Sequence, residues 1–172
     1  MTEDKDGGIA GPPVAGGIFA TILESVTQRI AGSAKGAAVS EVVAAAAREA
    51  VDRGGDLIPA TKAIIMGVVR GTGATDEAAL QNLSQAARVI IHHTADRNGN
   101  LAAAIKGIVL GAIAGARLMG VEIAKAASMA AKGALDGASE AGSVTVERVR
   151  GALKEPIGGI KVILPEPLSA RG

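Results

Sequence analysis

Gly111-Ala-Ile-Ala-Gly-Ala116 and Gly133-Ala-Leu-Asp-Gly-Ala138 match at an offset of 22 residues. Repetition of this kind decides an architecture before any single residue does. Carried along the chain in both directions, the offset falls on Gly32, Gly54, Asp76, Asn98, Gly120 and Gly142. These are Gly, Asn and Asp, the residues that tolerate the left-handed backbone closing a helix. Start signals follow them: Ser33, Asp56, Asn100 and Ser143, with Glu77 and Glu122 in first turns. Pro59 falls in the first turn of its unit, where a missing N–H costs least.

Within each unit the apolar residues recur at helical spacing. In 77–98 they are Leu80, Leu83, Ala87, Ile90, Ile91 and Thr94; in 99–120 they include Leu101, Ile105, Ile108, Ala112 and Ala116. Steps of three and four place them on one helix face. One column is always polar: Ser40, Lys62, Ser84, Lys106, Ser128 and Arg150. It also carries a second period, since its serines recur every 44 residues and so do its cations. The intervening units share the acids Asp52, Asp96 and Glu140. Alternate units thus differ in kind, as the two helices of a hairpin do. The expected fold is all-α: tandem antiparallel helix hairpins of 44 residues, stacked as an α-solenoid or a multi-helix bundle. Gly67/Gly71, Gly111/Gly115 and Gly133/Gly137 each sit four apart and predict close helix–helix approach.

The ends break the pattern. The reading divides the chain into a disordered segment over 1–17, a helical-repeat domain over 18–155 and an extended tail over 156–172. Ile18–Ile30 reads as a capping helix, and Ile160–Leu164 as a tail that packs across the repeat.

Composition sets limits on chemistry. The 48% hydrophobic content is mostly alanine, with one Phe and no Trp, Tyr or Cys. Large side chains supply most burial energy, roughly 1.5–3 kcal/mol each, so the core is wide and shallow. Eighteen Lys and Arg against seventeen Asp and Glu leave a net charge of +1. Without a basic stripe interleaved with aromatics, nucleic acid is not an expected partner. Absence of cysteine removes disulfides, thiol catalysis and thiolate metal sites. The start, Met1-Thr-Glu-Asp-Lys-Asp6, is acidic where a secretory leader is basic, and Gly107–Ala116 is about half the length of a membrane span. The expectation is a cytoplasmic protein with no transmembrane span.

Motif-like fragments have plain structural readings. His92 and His93 are adjacent, so on a helix they point about 100° apart and cannot alone assemble the three or four ligands of a metal site. Asp96-Arg-Asn98-Gly-Asn100 opens like a calcium loop, but Leu101 stands where that loop needs Gly, and Gly107 where it needs Glu. Gly71-Thr-Gly73-Ala-Thr-Asp76 follows a helix and lacks the Lys of a phosphate loop. Glu49 and Asp52 are three apart without a sign of a sheltered pocket. The reading is therefore non-enzymatic, with no catalytic, cofactor-binding or metal residue assigned and no cofactor expected.

The 22-residue units with one apolar face resemble those of exchangeable apolipoproteins. Over about residues 33–155, the alanine-rich, cysteine-free helices are similar to phasins, which coat bacterial polyester granules. The serial A-x-x-G-A helices ending in Gly159-Ile-Lys-Val-Ile-Leu164-Pro-Glu-Pro167 also resemble a group of uncharacterised bacterial Ala/Gly-rich helical-repeat proteins. Two functions follow as expectations. One is a structural scaffold that self-associates or binds a protein partner. The other, implied by the phasin and apolipoprotein resemblance, is an amphipathic coat on a polyester granule or lipid surface.

Overall fold

The computed structural model describes residues 14–33 and 36–164. Among these the chain forms seven helices and no strand. They are α1 (Val14–Ala31), α2 (Gly36–Asp52), α3 (Leu57–Thr72), α4 (Asp76–Asp96), α5 (Leu101–Met119), α6 (Ile123–Ala141) and α7 (Ser143–Lys154). The all-α class expected from the repeat is the one observed.

Breaks of one to four residues join the helices. Five of the six break positions have positive φ: Gly54, Asp76, Asn98, Gly120 and Gly142. At Asn98 (φ 54°) the next amide, on Gly99, donates back to Thr94 O at 2.7 Å, which stops α4. Asn100 then accepts from Ala103 N at 3.0 Å and starts α5. Asp56 starts α3 in the same way, accepting from Ile58 N at 2.9 Å. One boundary differs from the 22-residue phase: α3 closes at Gly73, three residues before Asp76, because Gly73 takes the left-handed cap (φ 58°).

The most extensive packing joins helices two apart in the chain, α1 with α3, α3 with α5, and α4 with α6. The molecule is thus two rows of helices, α1-α3-α5-α7 in one layer and α2-α4-α6 in the other. Within a row neighbours run parallel. Gly107 meets Ile58 and Thr61, Gly111 meets Ile65, and Gly115 meets Val69, an ascending order on both helices. Gly133 and Gly137 lie against Ser84 and Arg88 in the same sense. The 44-residue period is this step along a row.

The glycine pairs set how closely a row packs. A Cβ added at Gly111 would stand 2.8 Å from Ile65 Cβ, and one at Gly67 2.7 Å from Val26 Cβ. In the second layer α6 approaches so closely that a Cβ at Gly133 would stand 2.7 Å from the carbonyl carbon of Ser84. The positions 44 residues earlier on α4, which serve the α2 contact, hold Val89 and His93. That substitution of larger side chains explains why α2 packs on α4 less extensively than α6 does. Ile64, Ile65, Leu80, Leu83, Ile90, Ile91, Ile105 and Ile108 are fully buried at the centre. Alanine supplies most of the buried face of α6.

Both ends of the first row are closed. In α1, Val26 and Ile30 face Gly67 and Gly71 as Ile65 and Val69 face Gly111 and Gly115. Val26 and Ile65 are 39 residues apart, so α1 sits five residues out of the 44-residue phase. Its far face carries Thr21, Glu24, Ser25, Gln28 and Arg29 on an open surface, the polar exterior of a capping helix. The helix begins at Val14, four residues before the expected boundary at Ile18; residues 1–13 lie outside the described residues. At the other end α7 stops at Lys154 after 12 residues, against 19 in its counterpart α5. Ile157 and Ile160 then exchange backbone hydrogen bonds (2.9 and 3.0 Å) around Gly158 and Gly159, both at positive φ. This turn rests on Leu110 and Ile113 of α5, and Ile157 and Val162 are buried. The tail thus covers the part of α5 that a full-length α7 would have covered, in keeping with the expected packing across the repeat. The segment 165–172 lies outside the described residues.

Candidate functional site

The sequence candidates are dispersed by the fold. His92 and His93 sit edge to face with ring centroids 5.1 Å apart, and they part company. His92 Nδ1 lies 3.6 Å from Glu140 on α6, while His93, with Arg48 among its charged neighbours, belongs to the α2 side. Burial lowers the His93 pKa below its ordinary value, with the charges of His92 and Arg48 adding to the effect. No group of three or more His, Cys, Asp or Glu converges among the described residues. Asp96–Asn100 is the α4–α5 turn, with Arg97 bound to Asp52 at 2.7 Å. Gly71–Asp76 is the α3–α4 turn. Glu49 pairs with Arg53, the residue just past the end of α2.

A cleft of about 100 Å³ opens between α1 and α2, lined by Ile18, Ile22 and Ser25 on one side and Ala46, Glu49 and Arg53 on the other. It is small for a cofactor. Its ion pair, Glu49–Arg53, is an exposed local pair at the end of α2. α5 has the length and hydropathy of a membrane-crossing helix, and 61% of that stretch is buried. Its apolar residues form the centre of the first layer.

The feature that sets one surface apart is the distribution of charge between the layers. The first row, α1, α3, α5 and α7, carries eight basic side chains (Arg29, Lys62, Arg70, Lys106, Arg117, Arg148, Arg150, Lys154) against two acidic ones, Glu24 and Glu147. The second row carries four basic against eight acidic. The net charge of +1 hides this separation. On α3 and α5 there is no acid at all.

The packing aims these cations outward. On α3, Gly67 and Gly71 face α1, Ile65 and Val69 face α5, and Ile64 and Val68 are buried. The residues left toward solvent are Pro59, Lys62 and Arg70, with Met66 buried between the two cations, and the matching stripe on α5 is Ala103, Lys106, Leu110 and Arg117. The Lys62 ammonium lies 5.7 Å from the centroid of the Phe19 ring. Among the described residues no acid pairs with Lys62, Arg70, Lys106 or Arg117.

The second layer is organised differently, because its charges answer one another across the row. Arg88 on α4 binds Glu140 on α6, through Nε at 2.7 Å, and that bond raises the Arg88 pKa. Arg97 binds Asp52 at 2.7 Å, Lys132 binds Asp136 at 3.1 Å, and Gln85 donates to Ser40 at 2.8 Å. The ion pairs are exposed and of small energetic weight, and the Gln85–Ser40 hydrogen bond is half-buried. Together the ion pairs give several of that layer's acids a partner, while the layer keeps an excess of acidic side chains.

The polar column marked Lys62, Lys106 and Arg150 in the sequence, and the glycine pairs explain how their helices come side by side. The missed inference was that alternate units share a layer. Tallying charge separately for odd and even units would have exposed it.

Comparison with family models, curated proteins and solved structures finds no match to this chain.

Proposed function

We propose that this chain is a non-catalytic binding scaffold: a short helical-repeat stack that presents the outer face of α1, α3 and α5 to a partner of negative charge. The supporting observation is the one-sign charge of α3 and α5, set apart from a second layer that carries the excess of acids. Like charges gathered on one face repel one another, and a counter-charged partner relieves that cost. The closed ends of the first row bear on the mode of association. A polar α1 exterior and a tail folded over α5 discourage end-to-end growth, so the partner meets the broad side of the stack.

Retention on a cation-exchange resin tests this. A protein of net charge +1 with scattered charges elutes in the lowest salt, whereas this chain is expected to be held into moderate salt. Exchanging Lys62 and Lys106 for Glu should abolish retention, and exchanging Lys125 and Lys132 on the second layer should leave most of it. Elution of the unaltered protein with the unbound fraction would refute the reading.

A further inference from the structure

We infer that the partner is the surface of an anionic phospholipid bilayer, met by the face of α3, α5 and the C-terminal tail. This rests on the scaffold reading above and adds the chemistry of the partner. The cations on this face stand among apolar side chains. Lys62 is half-buried with its ammonium over the Phe19 ring, so its stem lies along apolar surface and its charge sits at the rim. Leu110 lies between Lys106 and Arg117 along the same stripe, and Leu118, 58% exposed, follows Arg117. The tail turn packs on Leu110 through Gly158, and a few residues on Lys161 and Ile163 are exposed on either side of buried Val162, Ile163 at 82%. Water gains nothing from Leu118 and Ile163 held open beside a row of cations. An interface in which phosphate meets the cations and the upper acyl region meets the two apolar side chains satisfies both.

A second copy of the chain fits less well. Its basic face would have to be met by the α2-α4-α6 layer, where three of the eight acids, Asp52, Asp136 and Glu140, already bind Arg97, Lys132 and Arg88, and where, among the described residues, no large exposed apolar side chain matches Leu118 and Ile163. Docking there would in part exchange one set of ion pairs for another and would leave both apolar side chains uncovered.

The experiment is flotation of the intact protein with vesicles. One set is phosphatidylcholine alone and the other contains about one-third phosphatidylglycerol, chosen because each basic side chain near an anionic leaflet multiplies the partition coefficient roughly fivefold. Binding is expected only to the anionic vesicles. It should weaken roughly 25-fold in the Lys106→Ser/Arg117→Ser variant, which removes two such charges. Raising salt from about 0.1 to 1 M, which shortens the screening length from about 10 to 3 Å, should release the protein. The Leu118→Ser/Ile163→Ser variant keeps every charge, so its retention on the cation exchanger should not change while its vesicle partitioning falls about tenfold. If anionic vesicles do not bind a protein that the exchanger retains, the lipid assignment is overturned, the scaffold reading stands, and an acidic protein becomes the partner to seek. If the exchanger also fails to retain it, both readings fall. Equal vesicle partitioning of the Leu118→Ser/Ile163→Ser variant and the unaltered protein would overturn the lipid assignment too. Circular dichroism of each variant confirms that the stack is folded before it is scored.

Discussion

Replacing Gly133 by Ala should destabilise this protein, although the same replacement inside an isolated helix is stabilising. Glycine costs about 0.8–1.0 kcal/mol relative to alanine in a helix interior, so propensity alone favours the change. Against it stands the backbone of Ser84, whose carbonyl carbon and Cα would lie 2.7 and 2.8 Å from the new Cβ, with the carbonyl oxygen closer still. A side chain could rotate away; a helix backbone cannot. Ordinary contact begins at 3.4 Å, so α4 and α6 must separate by at least about 0.7 Å, and a gap of that size forfeits a quarter to a half of each dispersion well along the seam. Overpacking of this kind typically costs about 1–3 kcal/mol, occasionally more. We expect a net loss of about 1–2 kcal/mol, or a Tm lower by roughly 2–8 °C for a chain of this length. Gly151→Ala is the internal control. It lies within α7 with nothing inside 4 Å of an added Cβ, and it should gain roughly 0.5–1 kcal/mol. Urea unfolding followed by far-ultraviolet circular dichroism is the assay, because a chain with one Phe and no Trp or Tyr offers no useful fluorescence. Gly133→Ala stabilising the protein as much as Gly151→Ala would refute the close-approach argument.

Three further outcomes are expected. Thr61 is buried and donates its hydroxyl proton to Leu57 O (2.7 Å), with Ala104 O of the next helix in its row also in reach (3.1 Å). Thr61→Val should cost about 1–2 kcal/mol, and Thr61→Ser, which keeps the hydroxyl, should cost less in the same unfolding assay. Ile157 anchors the tail turn, so Ile157→Ala should lower stability by about 2 kcal/mol and speed hydrogen exchange around Leu110 and Ile113, which the turn covers. The depressed pKa of His93 means that the folded chain binds fewer protons than the unfolded one once the pH drops below the ordinary value of 6.5. Its contribution is therefore intact above pH 6.5 and is lost as the pH falls through the lower folded value; His93→Gln should flatten that part of the stability–pH curve.

The fold was legible because its punctuation is local. A residue such as Asn98, which tolerates a left-handed backbone, followed two positions later by the capping side chain of Asn100, marks a helix boundary whatever lies around it. The row structure was legible in part. Gly111 and Gly115 announce a close approach, but a sequence does not say which helix approaches, and Ile65 and Val69 are known as partners only from the packing. The five-residue slip of α1 was not legible, since it depends on which turn of α1 seats Gly67. The charged face was hidden for a similar reason. Lys62 and Lys106 are visible as a column, yet their meaning depends on α3 and α5 lying side by side with no acid between them. The surface is a product of the i to i+2 packing; its trace in the sequence is the charge difference between alternate units, and no single motif carries it.

That packing is tested most directly by nuclear Overhauser contacts at the glycines. The two-row stack places the Hα protons of Gly111 against the Ile65 side chain, those of Gly67 against Val26, and those of Gly133 against Ser84. Strong cross-peaks for all three pairs are the expected result. If those glycines instead contact only residues of the helices immediately before and after them in the chain, the hairpins do not stack in rows, and the basic layer has no structural foundation.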